Sequence, residues 1–203
     1  ATNDGGIGML QALGATIHYD QSAQPEENIL KGISSVDLTT LEPRLKEVTF
    51  EVACDVTNPL TGEQGATRIF GPQKGVAEDM TEDLEKAMIR YGSLLEAAAG
   101  KPITEVAGVG AAGGLGAGLL ALPEVKLRSG FEIVSEAIQL EEKIREAGLV
   151  VTGEGKVDDQ TLYGKVPFGV ARLAAKYDIP VICVAGTVGP GIDILLEHGI
   201  SSV

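Results

Sequence analysis

Between Val151 and Ala171 the chain gathers the side chains that phosphoryl transfer would need: Glu154, Asp158 and Asp159, with Lys156 and Lys165 among them and Gln160 and Thr161 alongside. Carboxylates at the end of a strand can hold Mg2+ together with water and substrate phosphates. A neighbouring lysine can neutralise a phosphoryl group in transfer. The plainer alternative is a solvated acidic loop, and Asp159 is assigned to it. Two further segments pair a turn with a polar group. Asp55-Val56-Thr57-Asn58-Pro59-Leu60 puts an acid and an amide just past an apolar run, although Asn-Pro is also an ordinary turn dipeptide. Phe70-Gly71-Pro72-Gln73-Lys74-Gly75 holds Lys74 among glycines.

Other chemistries find less support. Gly108-Val109-Gly110-Ala111-Ala112-Gly113 matches GxGxxG, but a dinucleotide fingerprint also needs a clear strand before it and an acid about 20 residues later. Close packing, or a glycine loop whose amides cradle an anion, suits the segment better. Neither Gly100-Lys101 nor Gly164-Lys165 has the context of a phosphate-binding P-loop. His18 and His198 stand alone, and no zinc-type spacing of Cys and His occurs.

The elements that must position these residues are clearest near the C-terminus. Leu149–Thr152 is an expected strand, and the polar run after it an expected turn. Pro167 suits the first position of a helix that continues through Val170, Leu173, Ala174 and Tyr177. A second strand follows at Val181–Ala185, then a turn at Gly186–Pro190, a helix at Ile192–His198 and an apolar run at Ile200–Val203. This β-α-β-α-β order implies a parallel sheet with right-handed crossovers, with both polar turns on the same sheet edge. Ligands of open α/β sheets gather at that edge. Upstream, a helix is expected at Gly8–Leu13, strands at Ala15–Tyr19 and Glu47–Ala53, and loops at Gln21–Asn28 and Asp55–Gly65. The stripe Met80, Leu84, Ala87, Met88, Tyr91, Leu95 and Ala98 predicts a long helix. Gly130–Arg145 predicts one or two more. The strict β-α alternation starts only near Gly148, which suggests a boundary there.

The 203 residues can bury a substantial core as one large or two modest domains. Aromatics make up 4% and tryptophan is absent, so that core rests on Leu, Ile, Val and Ala. A net charge of −13 argues against a nucleic-acid partner, which calls for basic clusters. Cys54 and Cys183 each adjoin an apolar run and are expected as buried, reduced thiols of a cytoplasmic protein. Ala1–Gly6 is polar, so a secretory signal is not expected there. The uncharged run Val106–Pro123 is diluted by six glycines and is expected as a packed, close-turning loop, not a membrane segment. Because the final apolar run stops at Val203, the chain is expected to be part of a longer protein.

Taken together, Gly153-Glu154-Gly155-Lys156-Val157-Asp158-Asp159-Gln160-Thr161, Gly164-Lys165-Val166-Pro167 and Gly169-Val170-Ala171 closely resemble the bacterial glycerate kinases of the glycerate 2-kinase type. The likeness continues in Ala1-Thr2-Asn3-Asp4-Gly5-Gly6, Val52–Gly62, Phe70–Gly75 and Gly110–Gly116. It implies ATP-dependent phosphorylation of D-glycerate to a phosphoglycerate, the 2-phosphate by expectation, with Mg2+ as cofactor and glycerate and ATP as small-molecule partners. It also implies an α/β fold of two α/β domains: residues 1–147 as a restriction-endonuclease-like inserted domain, and 148–203 as part of a flavodoxin-like parallel-sheet domain. The family's Gly-Gly-Ser before Ala1, its first flavodoxin-like strands and its C-terminal end have no counterpart here, so the chain reads as an internal piece. On this resemblance Glu154, Asp158 and Lys165 are the candidate catalytic residues, with Glu154 and Asp158 also the candidate Mg2+ ligands. Asn3, Asp4, Gly5, Asp55, Asn58, Lys74, Gln160 and Thr161 are the candidate substrate and phosphate binders. A non-catalytic organic-acid-binding fragment is the alternative, and a homo-oligomer is left open.

Overall fold

The computed structural model describes residues 2–20, 29–158, 166–190 and 192–203. Gln160, Thr161 and Lys165, together with Asp159 and the expected loop Gln21–Asn28, lie outside the described residues. The chain divides into two compact units, Ala1–Leu127 and Arg128–Val203.

In the first unit, α1 (Ile7–Ala12) is followed by β1 (Thr16–Tyr19), which pairs antiparallel with β2 (Ile33–Asp37). Next come β3 (Phe50–Ala53) and the short helix α2 (Ala66–Phe70). The expected long helix is α3 (Glu78–Ala99). Glu78 and Asp79 in its first turn suit the positive end of the helix dipole, and Gly100 closes it in a left-handed conformation. Its buried stripe is Glu85, Met88, Tyr91, Gly92 and Leu95, whereas Met80, the expected first member, is 52% exposed. Met88, Tyr91 and Leu95 meet Ile7, Leu10, Leu30, Ile33, Leu60, Ile103 and Leu122 in one apolar core. The short strand β4 (Val125–Arg128) pairs with β3.

The glycine-rich run expected as a loop is in part helical. Helix α4 (Ala111–Leu120) contains a left-handed stretch, with φ of 54° at Ala112, 79° at Gly113 and 85° at Gly114. Residues 101–110 before it are turns and bends without a strand, so the context of a dinucleotide fingerprint is missing. No helix among the described residues is long and apolar enough to cross a membrane.

The second unit holds α5 (Gly130–Ala137), α6 (Leu140–Arg145), β5 (Val150–Val157), α7 (Val166–Ala175), β6 (Val181–Val188) and α8 (Ile192–Glu197). Helices α5 and α6, which precede the expected boundary at Gly148, pack with α7. Strands β5 and β6 are parallel, in register from Val150↔Val181 to Val157↔Val188. Ser202 adds a parallel bridge to Ile182, in the run expected as a third strand. Val170, Ala171 and Ala174 of α7 cover one face of the pair, against Val150, Val181 and Cys183. Both strands run further than expected, through Gly153-Glu154-Gly155-Lys156 and through Gly186-Thr187. Gly153 and Gly186 serve close approach between strands instead of turning the chain: a side chain at Gly153 would run into the backbone carbonyl of Val184, and one at Gly186 would stand 2.9 Å from Gly155 O. The two strands therefore end at Val157 and Val188, on the same sheet edge.

Candidate active-site residues

Four of the sequence segments meet within the first unit. The loop Thr2–Gly6 leads into α1, and Asp4 shapes it by accepting the Gly6 N–H at 3.0 Å. Asn3 donates its amide to Thr67 Oγ1 at 3.1 Å, while its buried Oδ1 has no hydrogen-bond partner among the described residues. Gly5 donates its N–H to Gly113 O at 2.9 Å, and the Tyr91 hydroxyl donates to Gly5 O at 3.1 Å. Burial pushes the Tyr91 phenol well above its ordinary range.

Lys74 arrives at this loop from a 3-10 turn, Pro72–Lys74, that follows α2. Its ammonium donates to Thr2 O at 2.8 Å, and among the described residues it forms no ion pair. Burial holds its pKa below the usual lysine value, opposed in part by the charge of Asp4. Gly113 walls this niche. A Cβ there would stand 2.7 Å from Lys74 Nζ and 2.9 Å from Asn3 Cα, and would overlap Thr2 O. Its φ of 79° disfavours a side chain in any case. An ammonium seated on a neutral carbonyl keeps its whole charge, so this niche is suited to an anionic oxygen.

Asn58 joins the same neighbourhood through its backbone. Its carbonyl accepts the N–H groups of Gly108 at 3.2 Å and Gly110 at 3.0 Å, and its side-chain amide donates to Gln64 O at 2.8 Å. With those bonds in place, Asn58 braces the glycine run and its own turn. Asp55 is exposed just past β3, beside Cys54, whose half-buried thiol donates to Gly108 O at 3.4 Å.

Two carboxylates that the motif reading passed over hold this loop system. Glu85, 3% exposed, accepts the Gly62 N–H at 2.6 Å, and its other, buried oxygen has no hydrogen bond among the described residues. Glu96 accepts from Ile103 N at 2.7 Å, from Thr104 N at 2.8 Å and from the Thr104 hydroxyl at 2.8 Å. Those bonds, Ile103's foremost, hold its carboxyl below the usual range. Thr104 O in turn accepts the Leu60 N–H at 2.9 Å, which carries the support on to the Asn58 turn. Glu85 was detectable in principle, as an acid inside the apolar stripe of α3.

In the second unit Glu154 and Lys156 lie on β5 and Asp158 just beyond it, where the alternation breaks: Lys156 is exposed and Val157 buried. Lys156 Nζ lies 2.7 Å from Asp158 Oδ2, and Asp158 is buried. Glu154 is on the side that α7 covers: its charge, second to burial, raises the pKa of buried Cys183. Four extended residues span about 13 Å, too far for Glu154 and Asp158 to grip one Mg2+ at its short bond lengths. A shared Mg2+ site on these two carboxylates is thus disfavoured by the strand that replaced the expected turn. Among the described residues, no three Asp, Glu, His or Cys side chains form a metal-binding set.

Comparison with known proteins bears on the whole chain. The model of the glycerate kinase family matches residues 1–203. The chain is 46% identical to the glycerate 2-kinase of Escherichia coli K12 and 46% identical to a glycerate kinase of Haemophilus influenzae, matching along all of its length but 54% of theirs. A crystal structure assigned as glycerate kinase 2 from Salmonella typhimurium LT2 superposes with a TM-score of 0.80 at 47% identity, over 100% of this chain and 53% of that one. The chain therefore spans about half the length of the curated relatives it matches.

Proposed function

Because the chain belongs to the glycerate kinase family, we propose that it takes part in ATP-dependent phosphorylation of D-glycerate, giving 2-phosphoglycerate. The observation that carries this reading beyond the likeness is the Lys74 niche: a partly desolvated ammonium on Thr2 O, walled by Gly113 and approached by Asn3 and Asp4. Such a niche attracts anionic oxygens, which glycerate and ATP both carry. Lys74 binds phosphate or carboxylate, with Asn3, Asp4 and Gly5 forming the loop around it. Asn58 positions the glycine run, and Asp55 stands at its outer edge.

In the second unit Asp158 orients the glycerate hydroxyl and accepts its proton. The hydroxyl oxygen forms a bond to the γ-phosphorus while the bond to the bridging oxygen breaks and ADP leaves. Lys165, Gln160 and Thr161 keep the phosphate-binding roles that the motif suggests. Mg2+, when bound, supplies charge neutralisation on the phosphates. One of the two carboxylates, Glu154 or Asp158, would hold it, with water and phosphate oxygens completing its shell. We also assign the first unit to a restriction-endonuclease-like inserted domain and the second, whose α5 and α6 pack with α7 ahead of the expected boundary at Gly148, to part of a flavodoxin-like one. The parallel β5–α7–β6 unit supports the second assignment.

ADP release with D-glycerate and MgATP, measured for this chain and for a version extended to the relatives' length, tests the reading. Phosphorus NMR of the product distinguishes the 2- from the 3-phosphate. Glycerate binding without turnover in both proteins would sink the kinase reading and favour the organic-acid-binding module.

A further inference from the structure

Thr67 on α2 is a polar residue that the motif reading passed over, and it is linked to both sides of the Lys74 niche. It is fully buried. Its hydroxyl accepts the Asn3 amide at 3.1 Å, across 64 residues of sequence. Its backbone carbonyl accepts the Gly71 N–H at 3.0 Å, and Gly71 O accepts the Lys74 N–H at 2.8 Å. The approach of Gly71 is so close that a Cβ there would overlap Thr67 O. One residue thus ties the loop that carries Asn3 to the turn that carries Lys74.

The bond to Asn3 has no substitute. Asn3 Oδ1 lacks a hydrogen-bond partner among the described residues, so the Thr67 hydroxyl is the one side-chain hydrogen bond among them that orients the amide. Burial keeps water from competing for that hydroxyl and strengthens the bond. The orientation matters because Asn3 Cα and Lys74 Nζ flank a single point, the place of a Cβ on Gly113, at 2.9 and 2.7 Å. An anionic oxygen on Lys74 therefore lies beside Asn3, whose amide nitrogen carries a second N–H. We propose that Thr67 is a positioning residue: its hydroxyl aims the Asn3 amide at the anionic oxygen that Lys74 receives, and its carbonyl fixes the turn on which Lys74 is carried. This rests on the reading of the Lys74 niche given above. The oxygen belongs to a carboxylate of the organic acid or a phosphate of the nucleotide, which present the same chemistry to the two donors.

The test uses the protein extended to the relatives' length, with Thr67→Val, Thr67→Ser, Asn3→Ala and a double variant carrying both Thr67→Val and Asn3→Ala. For each, kcat and the separate KM values for D-glycerate and ATP are measured, with circular dichroism to check the fold. Thr67→Val keeps the shape and loses the acceptor, and should raise one of the two KM values by about tenfold. A rise for glycerate identifies the carboxylate, and a rise for ATP the phosphate. Asn3→Ala should raise the same KM. Adding Thr67→Val to it should change that KM by less than about twofold, because the residue through which Thr67 acts is gone. Thr67→Ser should recover most of the KM, since the hydroxyl is kept. The proposal fails if the double variant multiplies the two single effects, as an independent structural role requires. Thr67→Ser decides the matter even if Thr67→Val does not fold: a KM near the parent's supports the proposal, and one raised about tenfold overturns it. If Asn3→Ala leaves both KM values at the parent's, the role of Asn3 falls and this proposal with it. If Asn3→Ala is impaired while Thr67→Val is normal, this proposal alone falls.

Discussion

In the first unit the ammonium of Lys74 rests on a backbone carbonyl, Thr2 O at 2.8 Å, whereas in the second Lys156 rests on a carboxylate, Asp158 Oδ2 at 2.7 Å. The distances are nearly equal but the electrostatics are not. A carbonyl leaves the lysine its full charge for a ligand, and a carboxylate cancels most of it. The scaffolds differ to match. Lys74 is seated by loops and a left-handed stretch of α4, with Gly113 against its ammonium. Lys156 is carried by a strand whose Gly153 lies close against Val184 of its neighbour. One region is suited to attract an anion; in the other an exposed lysine is matched to a buried carboxylate.

Four measurements would break or sharpen that contrast. Gly113→Val places a side chain against Lys74 Nζ and Thr2 O at positive φ, and should destabilise the first unit by about 3 kcal/mol. Urea unfolding of this chain reads it, and a loss under 1 kcal/mol would mean that the niche is soft. Lys74→Met in the extended protein should lower kcat/KM by about 10²-fold if the uncancelled charge meets the transferring group; activity within twofold of the parent removes Lys74 from the site. Gly153→Val pushes β5 away from Val184 and should cost about 2 kcal/mol. Faster amide exchange should follow in β5 and β6, with first-unit amides unchanged. Acceleration throughout the chain would erase the distinction between the units.

Glu96→Gln should have the smallest effect. The carboxyl of Glu96 titrates below its ordinary 4.5 because Ile103 and Thr104 donate to its ionised form. A depressed folded pKa means that its stabilisation is complete above pH 4.5 and is lost as pH falls through the folded value. At pH 7 the substitution should cost about 1 kcal/mol. The gap to the parent in urea midpoint should close on acidification below 4.5, and a gap that stays constant with pH would assign the bonds no charge dependence.

The motif positions were legible because acids, lysines and amides cluster in few places, and three segments, those of Asn3, Lys74 and Gly113, do come together. Helix α3 was legible from its apolar period. What misled was glycine. At 153, 155 and 186 it reads locally as a turn, yet the ladder between β5 and β6 is a non-local interaction that keeps those residues extended. The strands β2 and β4 were missed for the same reason, since each is short and defined by a partner distant in sequence. Glu85 stands out only by its place inside the apolar stripe, whereas Glu96 sits among solvent-facing acids of the same helix and only the folded loop tells it apart.

Tyr91 gives the molecule an optical handle. The chain has no tryptophan, so its near-ultraviolet signal comes chiefly from its few tyrosines. This one is fully buried, with its ring packed on Gly5 and its hydroxyl on Gly5 O. Any ligand that shifts the Thr2–Gly6 loop must change the surroundings of that ring. Near-ultraviolet circular dichroism of the unlabelled protein can therefore report on occupancy of the Lys74 niche without an introduced probe.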